Sequence, residues 1–219
     1  MFALLSQFLN LIYRKKCYFC GSSKDNTKMC EACYEKIEHI PVKILRHIYT
    51  VPLYCATLYE NNIQRLIRGI KYHKQKELAY YQAKIMYEYW QKLSISNEKF
   101  VIVPVPLCRE RQKKRKYNQM SLVAQEFAKM TGYDVNEDII KRVRNTKPQY
   151  KLSKKEREEN LKNAFECNKE YYSFTEKILI IDDILTTGST MEEIIKTLQN
   201  ADVKNLAVFV TSCTKFNLI

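Results

Sequence analysis

The amino-acid sequence predicts an α/β fold in which a parallel sheet is flanked by helices, and one segment carries most of this prediction. The segment reads ILIIDDILTTGST and covers residues 178–190. Its first four residues are apolar and β-prone, as in a central parallel strand that is buried on both faces. A hydroxyl-rich turn around Gly188 follows and opens an amphipathic helix over residues 191–200, the succession typical of α/β sheets. The 219 residues, 46% of them hydrophobic, suffice for one such domain and a small additional module.

The other elements are predicted from periodicity and from helix-ending signals. In chain order they are a strand at residues 54–59, helices at 63–69 and 77–93, a strand at 101–105, a helix at 119–130 ended by Gly132, and a strand at 206–211. The first twelve residues predict a short amphipathic helix that packs on the body or, as an alternative, touches a membrane peripherally. No run of 18 apolar residues is present, so no transmembrane helix is predicted. We expect residues 1–48 to form the small module and residues 49–219 the α/β domain.

The turn around Gly188 has the chemistry of a phosphate site. Asp182 and Asp183 come at the carboxyl end of the strand, where open α/β sheets bind ligands. The helix N-terminus offers unpaired N–H groups, and glycine permits close approach of the backbone. Because phosphate would repel the two carboxylates, we expect them to accept hydrogen bonds from ribose hydroxyls or to bind a Mg²⁺ shell. Ser189 and Glu192 predict a capping box. The alternative is a plain strand–turn–helix unit.

Four of the eight cysteines have the spacing of a metal site. They form two C-x-x-C knuckles separated by nine residues, Cys17, Cys20, Cys30 and Cys33. Four thiolates can close a tetrahedral Zn²⁺ site of the structural kind, and a redox C-x-x-C pair is the alternative. Since no export signal is recognised, cysteine-rich composition indicates a reducing cytoplasm. The other four cysteines are expected to be small buried hydrophobic residues.

The net charge of +13 is unevenly distributed, and one run, RERQKKRK at residues 109–116, has six cations in eight residues. Its cations are Arg109, Arg111, Lys113, Lys114, Arg115 and Lys116. We expect a loop on the same face as the phosphate turn, able to reach pyrophosphate or a nucleic-acid backbone; a solvated basic loop is the alternative. Tyrosines beside basic residues, Tyr72, Tyr117 and Tyr150, could stack on unpaired bases, although most tyrosines pack.

The segment at 178–190 resembles the phosphoribosyl pyrophosphate (PRPP) signature of type I phosphoribosyltransferases, which has two hydrophobic residues, two acids and a TTG-type turn. The resemblance implies that Asp182 and Asp183 contact ribose. It also implies that the 5′-phosphate is cradled by Leu185, Thr186, Thr187, Gly188, Ser189 and Thr190. Lys71 and the basic run would neutralise pyrophosphate with bridging Mg²⁺. The polar segment 146–163 has the composition of a mobile lid.

Over nearly the whole chain, the ordered motifs are similar to those of the ComF family of competence proteins, which natural transformation requires. The motifs are the cysteine pairs, RLIRGIKYHKQKELA, VPVPLCRERQKKRKYNQ, RNTKPQYKLSKKEREENLKNAF and the DD-TTG turn. Two departures occur: the usual RGFNQ reads RKYNQ at 115–119, and the usual TTGAT ends GST. The resemblance implies handling of single-stranded DNA on the cytoplasmic side of the inner membrane.

Three functions therefore stay open. The favoured one is a competence protein that binds single-stranded DNA and PRPP, in contact with a DNA helicase or an inner-membrane channel. The second is a nucleotide-salvage or amido phosphoribosyltransferase, and the third is a structural adaptor of the DNA translocation machinery. The chain has no Ser-His-Asp or Cys-His set, so catalytic residues are not assigned.

Overall fold

The computed structural model of the protein describes residues 14–144, 160–171 and 176–218. The predicted N-terminal helix and most of the predicted lid, including Tyr150, lie outside the described residues.

A six-stranded sheet forms the centre of the described structure. Its strands are β1 (Arg46–Ile48), β2 (Val51–Leu58), β3 (Val101–Pro104), β4 (Asp134–Val135), β7 (Ile178–Leu185) and β8 (Leu206–Cys213). They lie in the order β1-β2-β8-β7-β3-β4, and only β1 is antiparallel to its neighbour. A separate antiparallel pair consists of β5 (Ile140–Arg142) and β6 (Phe165–Cys167). The predicted α/β fold with a mostly parallel sheet is confirmed.

Helices cover both faces of this sheet. They are α1 (Glu31–Tyr34), α2 (Asn61–Tyr72), α3 (Leu78–Trp90), α4 (Arg109–Arg115), α5 (Gln119–Thr131) and α6 (Ser189–Gln199). Along β7, Leu179 and Ile181 face a core shared with α2, α3 and α5, whereas Ile178 and Ile180 face a second core that contains α6. This alternation is the period of two that a strand imposes, and it explains why all four residues are buried.

The basic run is a helix, so the prediction of a loop was wrong. Helix α4 contains most of the run, and its Arg, Lys, Gln and Glu residues are all strong helix formers. The helix ends at Lys116, which has φ of +66° and donates its N–H to the carbonyl of Gln112 at 2.7 Å. Lysine here takes the left-handed conformation that favours glycine, at the position where the family motif has glycine.

The predicted capping box at α6 was also wrong. The N-cap is Gly188, with φ of +94° and no side-chain cap hydrogen bond. The Ser189 hydroxyl instead pairs with that of Thr187, with 3.0 Å between the two oxygens. The helix therefore begins one residue earlier than the capping box predicts, and Ser189 is its first residue.

The remaining differences concern element ends and short strands. Asp182 and Asp183 lie inside β7 near its carboxyl end, because the strand continues to Leu185. Strands β1, β4, β5 and β6 have only two or three residues each and were not predicted, since so short a pattern gives no periodicity. Among the described helices, none has the length and apolar composition needed to cross a membrane.

Candidate functional site

A cavity of 170 Å³ lies at the carboxyl end of β7 and is bounded by the turn that leads into α6. All nine residues predicted for PRPP line it: Lys71, Asp182, Asp183, Leu185, Thr186, Thr187, Gly188, Ser189 and Thr190. Four further polar residues join them from three other elements, namely Arg111 and Arg115 of α4, Gln119 of α5 and Arg142 of β5. The cavity therefore combines two carboxylates, a hydroxyl-rich turn and several cations.

The two acids have different surroundings. Asp183 is only 4% exposed. One of its carboxylate oxygens accepts a hydrogen bond from Lys71 Nζ at 2.7 Å, and the other accepts one from Gln119 Nε2 at 3.0 Å. Asp182 is half-buried, and its Oδ1 accepts the N–H of Asp183 at 2.8 Å. Both carboxylate oxygens of Asp183 thus accept hydrogen bonds from protein side chains, which leaves Asp182 as the acid better placed to bind a ligand.

The Asp182 carboxyl titrates near neutrality. Burial raises its pKa to about 7, and the negative charge of Asp183 adds to the effect. The Lys71 ammonium, the N–H of Asp183 and the Arg142 guanidinium act in the opposite direction. A bound cation would favour the ionised form of this group.

The turn is supported from behind by two side chains that the sequence did not indicate. Arg46 of β1 donates from Nη2 to the carbonyl of Thr187 at 3.3 Å. Asn217 donates from Nδ2 to the carbonyls of Leu185 at 3.3 Å and Thr186 at 2.9 Å. Neither residue belongs to a recognised motif, so no signal in the sequence could have found them. These three hydrogen bonds fix carbonyl groups of the turn and so fix the direction of its peptide units.

Arg142 was likewise missed. Its guanidinium packs over the ring of Phe165, 5.3 Å from the centroid, and burial lowers its pKa from the ordinary value. Gln119, in contrast, is the last residue of the RKYNQ motif, and that position was a signal available in the sequence.

A group of cations and tyrosines lies at the rim of the cavity. The guanidinium of Arg115 lies 5.2 Å from the ring centroid of Tyr72, and its Nη1 donates to Gln119 Oε1 at 2.6 Å. Tyr72 is 65% exposed. Tyr117 is half-buried, with Lys76 Nζ 4.7 Å from its ring centroid. The solvent-facing cations of this region are Arg109, Lys113, Lys114 and Lys116. The structure thus divides the predicted basic run between the cavity and the surface.

The four predicted zinc ligands come together. The sulfur atoms of Cys17, Cys20, Cys30 and Cys33 all lie within 4.8 Å of one another. Four thiolates about 2.3 Å from one zinc ion are about 3.8 Å apart, so the cluster fits a tetrahedral site. Burial opposes ionisation of Cys17, but hydrogen bonds from the backbone of Cys30, Cys20 and Phe19 outweigh it and lower its pKa to about 6. The residues present therefore suit a structural Zn²⁺.

The cysteine cluster packs on helix α2. Asn62 Nδ2 donates to the carbonyl of Cys33 at 2.9 Å, and Arg65 Nη2 donates to the carbonyl of Tyr18 at 3.4 Å. A Cβ on Gly69 would lie 2.7 Å from Leu78 and 3.1 Å from Tyr18, so this helical glycine permits the close packing. The boundary at residue 48 stays a prediction, and β1, just before it, pairs with the main sheet.

Known protein families and solved structures include several that are similar to this chain. The phosphoribosyl transferase domain family matches residues 120–215. Among solved structures, adenine phosphoribosyltransferase from Leishmania tarentolae is 10% identical with a TM-score of 0.45, over 83% of this chain and 97% of that chain. The enzyme from Trypanosoma brucei is 11% identical with a TM-score of 0.40, over 67% and 68%. The family match covers less than half of the chain, and over this part the chain is similar to phosphoribosyl transferase domains.

Two curated relatives are similar to this chain. Competence protein F of Haemophilus influenzae is 39% identical over 109 residues, which are 49% of this chain and 48% of that protein. DNA utilization protein YhgH of Salmonella typhimurium is 28% identical over 190 residues, 83% of each chain. The alignment thus spans about half the length of the first relative and most of the second. The chain is a homologue of these competence and DNA-utilization proteins, which confirms the resemblance to the ComF family.

Proposed function

We propose that the protein binds PRPP in the cavity and single-stranded DNA on the neighbouring basic face, and that it serves the uptake or use of DNA. The observation that carries the proposal is the convergence in one cavity of the DD pair, the phosphate turn and cations from three other elements. PRPP has a 5′-phosphate, a ribose diol and a pyrophosphate, and each part meets a matching set of groups there.

The turn suits the 5′-phosphate because its N–H groups and hydroxyls are donors at the positive end of the α6 dipole. Asp182 suits a ribose hydroxyl as a hydrogen-bond acceptor. Lys71, Arg111 and Arg115 suit pyrophosphate, whose charge would compete with Asp183 for the Lys71 ammonium. When bound with the ligand, Mg²⁺ would neutralise pyrophosphate charge, and the raised pKa of Asp182 would fall in response.

The described lining residues include no histidine or cysteine, so a transferase reaction here would depend on charge stabilisation of the leaving pyrophosphate. The residues that would supply it are the pyrophosphate cations named above. No group is assigned as a nucleophile or general base.

DNA binding is supported by the charge of α4 and by the exposed ring of Tyr72. The cations on the outer side of α4 suit phosphates, and an exposed tyrosine can stack on an unpaired base. The names of the two curated relatives, Competence protein F and DNA utilization protein YhgH, favour DNA over other polyanions. On this proposal the protein acts in the cytoplasm, where a helicase or an inner-membrane channel delivers the strand.

Titration calorimetry with PRPP and Mg²⁺ tests the first ligand. We expect binding by the wild type and at least a tenfold loss in Asp182→Asn, because a charge-assisted hydrogen bond contributes about 1.5–3 kcal/mol. Equal affinity in the two proteins would show that Asp182 does not touch the ligand.

The salt dependence of oligo(dT) binding tests the proposal that the protein binds single-stranded DNA. Lys113 and Lys114 do not line the cavity, so the variant Lys113→Ala/Lys114→Ala should keep its PRPP affinity. The slope of log DNA affinity against log salt concentration should become shallower by about 1.4, at about 0.7 per phosphate contact. The matched control, Lys92→Ala/Lys204→Ala, removes two exposed lysines from other parts of the surface. Equal slopes in both variants would move the DNA path away from α4.

A salvage activity is the second candidate, because β5 and β6 bring Arg142 to the edge of the cavity, where an acceptor base could meet it. Release of pyrophosphate from PRPP on addition of a free nucleobase would favour it. Failure to bind PRPP at all would leave the adaptor hypothesis.

A further inference from the structure

Arg46 reaches the phosphate turn from a part of the chain that no motif covers. It is the first residue of β1, the antiparallel edge strand, and its Nη2 lies 3.3 Å from the carbonyl oxygen of Thr187. A Cβ built on Gly188 would lie 2.2 Å from the same Nη2 atom. The guanidinium thus occupies the space that any side chain at position 188 would need.

This contact determines the direction of the peptide between Thr187 and Gly188. In a trans peptide the C=O and N–H point to opposite sides. Because the Thr187 carbonyl points at Arg46, which does not line the cavity, the Gly188 N–H points to the cavity side. In the described part of the chain this N–H donates to no protein group, so it is available to an anion.

Arg46 also places a positive charge behind the turn. Within the described residues it makes no ion pair, although the Glu192 carboxylate lies 3.6 Å from the same Cβ position on Gly188. Its Nε is buried and lacks a hydrogen-bond partner in that part of the structure. An unsatisfied buried N–H opposes folding, so stability alone does not explain this arginine.

We propose that Arg46 is a positioning residue for the phosphomonoester end of the ligand. It holds the Thr187–Gly188 peptide with its N–H toward the cavity and adds positive charge there. Its guanidinium and the φ of +94° together favour glycine at position 188. This proposal rests on the proposed function of the cavity. Affinity for the 5′-phosphate therefore depends on Arg46, whereas affinity for pyrophosphate does not.

Binding of ribose 5-phosphate and of magnesium pyrophosphate, each measured by calorimetry on the full chain, separates the two ends. We expect Arg46→Met to weaken ribose 5-phosphate at least tenfold and to leave pyrophosphate within twofold. Arg46→Lys should recover part of the loss because it keeps the charge. Gly188→Ala, which displaces the guanidinium and also strains the turn at a φ of +94°, should weaken ribose 5-phosphate with Arg46 present.

The matched control is Arg65→Met, which removes another arginine that donates to a backbone carbonyl, at the cysteine module. It should leave both affinities within twofold. Unchanged ribose 5-phosphate affinity in a folded Arg46→Met would overturn the proposal, as would an equal loss for pyrophosphate. Should Arg46→Met fail to fold, unchanged affinity in Gly188→Ala would overturn it. A wild type that binds pyrophosphate but not ribose 5-phosphate refutes this proposal, and one that binds neither refutes the proposed cavity function as well.

Discussion

Replacement of Lys71 by methionine should destabilise the fold as well as the site, because the Lys71–Asp183 ion pair is buried. The Nζ–Oδ1 distance is 2.7 Å, and the two side chains are 15% and 5% exposed. Lys71→Met leaves the Asp183 carboxylate with Gln119 as its side-chain partner. Removing one partner of a buried pair typically costs about 3–5 kcal/mol, since the remaining charge is uncompensated. A loss of about 3 kcal/mol corresponds to a fall in Tm of about 6–12 °C at this chain length.

The double variant Lys71→Met/Asp183→Asn distinguishes a stranded charge from lost packing. Both charges are then absent, so at least half of the lost stability should return. Lys177→Met is the control, because its ion pair with Glu98 has the same 2.7 Å distance but side chains 43% and 41% exposed. Exposed pairs contribute about 1 kcal/mol or less.

Urea unfolding followed by circular dichroism measures the free energy of unfolding of the wild type and of the three variants. A Lys71→Met variant within about 1 kcal/mol of the wild type would refute the reasoning. So would a double variant no more stable than the single one. The comparison also matters for site mutagenesis: Asp183→Asn alone strands Lys71, and a loss of binding there would report on the fold and the ligand together.

Three further outcomes are expected. Burial raises the pKa of Asp182 to about 7, above the unfolded value near 3.9, so the folded state binds the extra proton and this group's contribution to stability is lost as pH rises from about 4 to about 7. The difference in Tm between the wild type and Asp182→Asn should therefore change over that pH range. A constant difference would contradict the raised pKa. The purified protein should hold one equivalent of zinc, with a lower Tm after chelation or in Cys17→Ser, because four thiolates converge at the cluster; elemental analysis that finds less than half an equivalent would argue against the site. Lys116 has φ of +66°, so Lys116→Gly should leave the free energy of unfolding unchanged or raise it by up to about 1 kcal/mol. Lys116→Val should lower it by about 1–2 kcal/mol. Equal stability of the two variants would indicate that the left-handed conformation is not adopted in solution.

Local patterns were sufficient for much of the site. The apolar run of β7, the acids that follow and the turn to α6 are contiguous, so their proximity requires no tertiary structure. The cysteine spacing likewise predicts convergence over a short loop, and the sulfur atoms do converge. Misinterpretation arose where charge was weighed above propensity. The charge of the run at 109–116 suggests a loop, but its residue types favour a helix, as α4 shows.

The sequence by itself determined the α/β class, the turn around Gly188 and the cysteine cluster, because each depends on periodicity or spacing over a few residues. Only the tertiary structure decided which distant side chains complete the cavity. Arg46 meets Thr187 across 141 residues, and Lys71 meets Asp183 across 112. These contacts follow from the order β1-β2-β8-β7-β3-β4, which carries the edge strand and α2 to the carboxyl end of β7. Strand order depends on long-range pairing, and no local pattern in the chain encodes it.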